Sequence, residues 1–479
     1  MAMKEMQNKQ REGYRTGSVP RVVIAGTNSG CGKTTMVCAL LKALQNRGLC
    51  AGAFKCGPDY IDPMFHSRII HAPSSNLDSI FFDPETLKYL LARNGADRDI
   101  SIIEGVMGYY DGLSLEGVQG STFEIARLTD SPVILVVNAR GAALSVLAEV
   151  YGFLHFHDII TGNSGDNPVA GVIFNQCTAM TYPLLQKAVQ EHFHGNVQAL
   201  GYLPVMKESS LESRHLGLVT AQEVADLQEK VELLARQAEK SVDLDGILKL
   251  AREAQPVRYE EVLIPKFTEP VRIAVARDRA FCFYYEDSLQ LLRDMGAELV
   301  PFSPLSDDAL PEQISGLYLG GGYPELYARQ LSENRSMLED IRKALEDQIP
   351  CIAECGGFMY LTEGIGEWPM AGYLPGKSFD TGKLSRFGYV TLKGQADSML
   401  CRAGEEITGH EFHYWDAEDP GKDFRAEKRS GKTRDCVHAS GHLYAGFPHF
   451  HFYANPSFAE NFYRACLQYR KGGQAPFSP

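Results

Sequence analysis

The chain lacks any run of about 18 apolar residues, the length a membrane helix needs, and the stretch Met1 to Gly17 is polar and mixed in charge. This reading excludes a membrane span and a secretory signal, so a cytoplasmic protein is expected. Positive charge is also short. Lys and Arg number 47 against 60 Asp and Glu, a formal net charge of −13, which argues against a general nucleic-acid surface. Any polyanionic substrate must then be held by a local basic patch. The 11 cysteines form no CxxC pairs and no Cys/His metal spacing, and several sit inside expected strands or helices (Cys38, Cys50, Cys351). Reduced, mostly buried thiols are the reading that fits. At 479 residues the chain is too long for one core, so two or three domains are expected.

One further absence is informative. A strict G-x-x-x-x-G-K-[ST] phosphate loop needs Gly at 27, where Thr27 stands, and the first glycine comes one place early at Gly26. The surroundings are nonetheless those of a phosphate cradle: the apolar run Arg21–Ala25, then Gly26 to Thr35, then a helical pattern to Arg47. Glycines let backbone N–H groups converge on phosphate oxygens and the helix N-terminus adds its positive dipole end. Thr27, Asn28, Gly30, Gly32, Lys33, Thr34 and Thr35 are therefore candidate ATP contacts, with Lys33 on the β/γ-phosphates and Thr34 on Mg²⁺.

A second strand is expected to end in Lys55-Cys56-Gly57-Pro58-Asp59-Tyr60-Ile61-Asp62-Pro63, a place where doubly wound sheets bind ligands. Asp59 and Asp62 are candidate metal or substrate contacts. The short apolar run Ile100–Ile103 ends in Glu104, placed to hold Mg²⁺ beside the phosphate loop, with Asp111 second. Further strands are expected at Val133–Val137 and Ala170–Phe174, the latter followed by Asn175, whose amide could pair with a purine edge. Helical stretches alternate with them, which predicts a parallel sheet with helices on both faces. Arg214 and His215 could face an anionic substrate, and the charged, helix-period segment from Ala221 to Ala254 reads as a helical lid. The expected organisation is a flexible tail over residues 1–20, a nucleotide- and substrate-binding domain over 21–254, a linker over 255–270, and a second α/β domain over 271–479.

That second domain carries its own nucleophile candidate. In Pro350–Leu361 a strand, a sharp turn and a helix follow one another with Cys355 at the turn, the elbow geometry that presents a nucleophile clear of a sheet. Gly320-Gly321-Gly322 follows another strand end, and backbone N–H groups of Gly321, Gly322 and Gly356 are candidates for an oxyanion site. A base is available in Phe447-Pro448-His449-Phe450-His451, where strand spacing puts His449 and His451 on the same face and cannot choose between them. A thiolate with a His base means acyl transfer, with amide hydrolysis the expected form.

The two modules together resemble the cobyrinic acid a,c-diamide synthase family, glutamine-dependent amidoligases of corrinoid biosynthesis. The stretches that carry the resemblance are Gly26–Thr35, Phe54–Pro63, Asn76–Asp78, Glu104–Gly112, Arg214–Leu218, Gly320–Glu325, Ala353–Gly357, Gly409–Trp415 and His449–Phe452, and it covers almost the whole chain after Arg21. It implies a dethiobiotin-synthetase-like, P-loop NTPase-like ATP domain followed by a class I glutamine amidotransferase-like domain. The early glycine fits, since such loops begin G-T-[ND]-[ST]. The resemblance favours His449 as the base; a third residue, Glu in many class I amidotransferases, would stand where this chain has His451, and what orients His449 is left open. It also implies MgATP, glutamine and cobyrinic acid as reactants, with Asp59, Asp62, Asp111, Arg214 and His215 toward the acceptor substrate. Hydrogenobyrinic acid and nickel-sirohydrochlorin are alternative acceptors, and a homodimer is among the assemblies open to it. A ParA/MinD-type nucleotide switch is the reading from another class. Such switches usually carry a Lys where this chain has Asn28, and they have no use for the Cys355 domain.

Overall fold

Arg21–Gly26 (β2) is buried at every position, and so are Ala51–Cys56 (β3) and Ile100–Glu104 (β5). Continuous apolar runs of this kind belong to parallel strands covered on both faces. The computed structural model describes residues 14–162, 167–209 and 221–472, and the chain separates into two units, Met1–Val262 and Leu263–Pro479.

In the first unit the three strands are joined by Ser74–Leu77 (β4), Val133–Asn138 (β6), Val169–Asn175 (β7) and Gln198–Leu203 (β8). The sheet order is β4-β3-β5-β2-β6-β7-β8, with every pairing parallel. The phosphate loop therefore leaves the central strand. Register sets Glu104 opposite Ile24 on one side and opposite Lys55 on the other. The expected α/β class with flanking helices is the one found.

Two expectations need correction. The segment read as a lid is helix α7 (Ala221–Ser241) followed by α8 (Leu244–Glu253), and they are part of the core. Here α1 is Lys33–Asn46, and α2 to α6 are Ile61–Arg68, Pro84–Gly95, Thr122–Leu128, Ser145–Thr161 and Tyr182–Phe193. Val231, Leu234, Ala235 and Ala238 are buried in one cluster with Met36, Leu40 and Leu44 of α1. Their spacing of three, one and three residues is an apolar stripe within a charged sequence. Arg47 then closes the seam from outside, with Glu239 at 2.7 Å and Asp245 at 2.9 Å.

The stretches read as tail and linker also each contribute a strand. Tyr14–Gly17 (β1) pairs antiparallel with Val257–Glu260 (β9). Beneath them Arg21, fully buried, donates to the carbonyls of Val19, Thr129 and Gln255 and to Ser131 Oγ. Burial pulls its guanidinium down to about 10.

In the second unit the central sheet contains Val271–Ala276 (β10), Ala297–Phe302 (β12), Gly316–Leu319 (β13) and Cys351–Glu354 (β15), where β11 and β14 are the short strands Phe281–Phe283 and Gly321–Gly322. The order is β12-β10-β13-β15, then Leu443–Gly446, all parallel, with His438–Ala439 antiparallel at the edge. Three neighbouring parallel strands thus end side by side. The glycine run follows β13, Cys355 follows β15, and His449 follows Leu443–Gly446.

The burial of α7 generates a stability prediction. Leu234→Ala should cost ~2–5 kcal/mol in urea unfolding of the first unit's transition, as a truncated core leucine does, whereas a solvated lid residue would change it by under about 0.5 kcal/mol.

Candidate active sites

The phosphate loop turns on two left-handed glycines, Gly30 at φ 82° and Gly32 at φ 103°, the second forming the N-cap of α1. The early glycine has a local cause. A Cβ on Gly26 would lie 2.4 Å from Cys31 Sγ and 2.9 Å from the Lys33 stem, because the loop folds back over the end of β2. Asn28 and Gly30 are exposed, Thr27, Thr34 and Thr35 are partly buried, and Lys33 is buried. Lys33 Nζ donates to Asn28 O at 3.0 Å and Met107 O at 2.5 Å. Burial lowers its pKa.

Glu104, wholly buried at the tip of β5, accepts from Thr34 Oγ1 at 2.6 Å and from Lys55 Nζ at 3.0 Å. Its other oxygen lies 3.0 Å from His66 Nε2. Burial opposes its charge, but Lys55, His66 and Thr34 outweigh burial and hold the carboxyl well below the usual range. Lys55 also meets Asp62 at 2.5 Å. Burial and the Glu104 charge push Asp62 up to about 7 in spite of that contact. Lys55 and His66 are residues that pattern reading did not single out. Their one signal was position, Lys55 in register with Glu104 and His66 on the helix that Asp62 opens.

The other expected contacts fall as follows. Asp59 Oδ1 accepts from the N–H groups of Ile61 and Asp62, so it caps the start of α2. Asp111 Oδ2 accepts from Gly108 N within its own turn. Asn175 Nδ2 donates to Cys31 O at 2.8 Å, bracing the phosphate loop from β7, a task distinct from the purine contact expected of it. Arg214 and His215 lie outside the described residues. Thr34 and Glu104 present oxygens to one another at the loop, the hard donor chemistry that suits Mg²⁺.

The second unit holds a different arrangement. Cys355 stands at φ 50°, ψ −103°, a strained turn between β15 and the helix Gly356–Leu361, and its N–H donates to Gly446 O at 2.7 Å. His449 is buried and pairs with His410 in the neighbouring sheet. A Cβ on Gly321 would fall 2.4 Å from His449 Cε1, 3.1 Å from its Nε2 and 3.5 Å from Cys355 Cβ. Gly356 packs toward Gly322 N, where a Cβ would lie 3.3 Å away. The glycines named for the oxyanion therefore surround the thiol and the Nε2 edge of His449.

His451 faces elsewhere. Its Nδ1 accepts from Tyr453 N at 3.2 Å and its ring lies against Tyr285. Burial pulls it down to about 3. For His449 burial works in the same direction, but the neighbouring Cys355 and Glu354 overcome it and lift the imidazole to about 10. Glu354 Oε2 lies 3.3 Å from His449 Nδ1, a contact that sequence reading missed. Among the described residues there is no cluster of three or more His, Cys, Asp or Glu able to hold a metal, and all 11 cysteines are free, with Cys50 the exposed one.

Fold and sites define a glutamine amidotransferase unit joined to a P-loop nucleotide-binding unit. Residues 22–219 match the CobQ/CobB/MinD/ParA nucleotide binding domain and residues 272–457 the CobB/CobQ-like glutamine amidotransferase domain. The cobyrinate a,c-diamide synthase of Thermoplasma volcanium is 41% identical over 95% of this chain and 98% of its own. Those of Dehalococcoides mccartyi strain 195 and Priestia megaterium are 40% and 37% identical, over 93% and 94% of this chain and 98% of theirs. The chain belongs to the cobyrinate a,c-diamide synthase family, and it is an amidoligase.

The loop geometry separates its glycines. Gly32→Ala would drive a methyl group to 2.0 Å from Asn175 Nδ2, whereas Gly30→Ala meets nothing within 4 Å. In titrations with a fluorescent ATP analogue, Gly32→Ala should weaken binding on the order of 100-fold or more. Gly30→Ala should lose only the left-handed backbone preference, about 1–2 kcal/mol.

Proposed function

We propose that the protein amidates the a and c side-chain carboxylates of cobyrinic acid, using glutamine as nitrogen donor and MgATP as the activating agent, in the cytoplasm. The observation that carries this reading is the presence in one chain of a phosphate loop whose Thr34 meets the buried Glu104 and of a Cys355 elbow against His449.

At the elbow, His449 takes the Cys355 proton, and the thiolate attacks the side-chain amide carbon of glutamine. N–H groups of Gly321, Gly322 and Gly356 face the developing oxyanion. The C–N bond breaks, ammonia leaves with the proton that His449 returns, and a γ-glutamyl thioester remains. Water activated by His449 then cleaves the thioester, releasing glutamate and restoring the thiol.

In the first unit an acceptor carboxylate attacks the γ-phosphorus of ATP, ADP leaves, and an acyl phosphate forms. Ammonia attacks its carbonyl and phosphate departs with the C–O bond. Activation is required because a carboxylate is a poor electrophile. Thr34 and Glu104 would hold the metal, which when bound would offset the negative charge of the phosphates. Lys33, withdrawn from its two loop carbonyls, would stabilise the transferring phosphoryl. Asn175 would keep its loop brace and offer its remaining oxygen to the base. Asp59, Asp62, Asp111, Arg214 and His215 are assigned to the acceptor side. Asp59 is the reserve metal contact if Glu104 is not the ligand. The product mass formed from each candidate macrocycle in turn, including hydrogenobyrinic acid and nickel-sirohydrochlorin, tests the acceptor assignment; an unamidated cobyrinic acid would overturn it.

Two substitutions test the division of labour. Lys33→Ala should abolish amide synthesis with either glutamine or ammonium as nitrogen source, a loss of several kcal/mol in transition-state stabilisation, and retained synthesis at saturating ATP would refute the loop's role. Cys355→Ala should lower glutamine-dependent synthesis by at least about 10³-fold while ammonium salt at mildly alkaline pH restores it. A folded, ATP-binding Cys355→Ala protein that makes no amide even with ammonia would count against the two-site scheme.

A further inference from the structure

The imidazole of His449 has two working nitrogens, and only one of them belongs to the chemistry described above. Its Nε2 edge lies beside Cys355 across Gly321. Its Nδ1 lies 3.3 Å from Glu354 Oε2, and the other oxygen of that carboxylate lies 3.5 Å from Phe450 N. Both side chains of the pair are buried, Glu354 at 1% exposure and His449 at 4%. A buried carboxylate is costly unless something positively charged or hydrogen-bonding meets it. Among the described residues its ion-pair partner is His449, with no Lys or Arg within 4.0 Å.

The contact follows from topology. Glu354 ends β15 in register with Gly446, the last residue of the strand that leads into His449. In a regular strand, residues 354 and 355 would point to opposite faces. The φ of 50° at Cys355 breaks that alternation, so consecutive residues reach opposite nitrogens of one ring. The place two residues after the base cannot do this job, because His451 turns away toward Tyr453 and Tyr285.

We propose that Glu354, the residue immediately before the nucleophile, is the positioning residue for His449: its carboxylate accepts the Nδ1 proton and leaves Nε2 as the acceptor for the Cys355 thiol. This rests on the reading of Cys355 and His449 as the glutamine-hydrolysing pair. A carboxylate on Nδ1 selects the tautomer and supports the imidazolium that forms when the thiol gives up its proton.

The test uses the full chain. Glu354→Gln keeps the volume and removes the charge, and should lower glutaminase turnover on the order of 10²–10⁴-fold with the KM for glutamine within a few-fold of wild type. Ammonia-dependent synthesis should persist. The double variant Glu354→Gln/His449→Ala should be no slower than His449→Ala alone, since a positioning residue has nothing to position once the ring is gone. A glutaminase within about 3-fold of wild type, or losses that multiply in the double variant, would overturn the proposal. If Glu354→Gln also loses ammonia-dependent synthesis, the tautomer decides. ¹⁵N NMR of the Cys355→Ala protein with its histidine rings neutral should place the His449 proton on Nδ1, and a proton on Nε2 overturns the proposal. Failure of the underlying reading is separately visible, because Cys355→Ala would then retain glutamine-dependent synthesis.

Discussion

Parallel strand pairing is the constraint on which both sites depend. Parallel strands cannot be joined by tight hairpins, so each strand runs in the same direction and each ends at the same edge. In the first unit that edge gathers the loop after β2, the acid at the tip of β5 and Lys55 near the end of β3. In the second it gathers a glycine run, a cysteine and a histidine from three adjacent strands. Residues more than a hundred positions apart in the chain, such as Gly321 and His449, become neighbours through strand order alone.

The same pairing explains the electrostatic character of the first site. Glu104 cannot move away from the sheet, since its backbone is bonded on both sides, and it therefore has to be neutralised where it stands. Lys55 does this with its charge, while Thr34 donates a hydrogen bond and His66 lies 3.0 Å away, each from a different element. Such a cluster is held by geometry more than by net attraction, because the desolvation of buried ions consumes much of the Coulombic gain. Its value is in fixing where the carboxylate points. The thiol site follows a similar logic with fewer charges: Glu354 and His449 meet at 3.3 Å, both buried.

Legibility in the sequence followed distance along the chain. The phosphate loop and the Cys355 elbow were readable because strand, turn and helix are contiguous there, and the glycines report the backbone conformation directly. The parallel sheets were readable from buried apolar runs. The role of α7 was obscured because its charged face dominates its composition, although the stripe Val231, Leu234, Ala235, Ala238 was present. The β1–β9 ribbon joins residues from opposite ends of the first unit, which no local pattern reports. His449 and His451 were inseparable by strand alternation because the strand lasts only for His449–Phe450 before the chain turns at His451. Glu354 read as one more buried strand residue, since nothing in a one-dimensional pattern says which strand will lie beside it.

Asn175 has a consequence for how far the phosphate loop is a module in its own right. The loop is held open from outside, by an amide contributed 144 positions later from β7, packed against the one glycine that leaves room for it. A chimera that moved residues 21–47 onto another sheet would carry the nucleotide motif without its brace. Transplanting the motif therefore means transplanting a pair of segments, and an insertion that shifted β7 by one register step would reach the nucleotide pocket without altering a single letter of its signature.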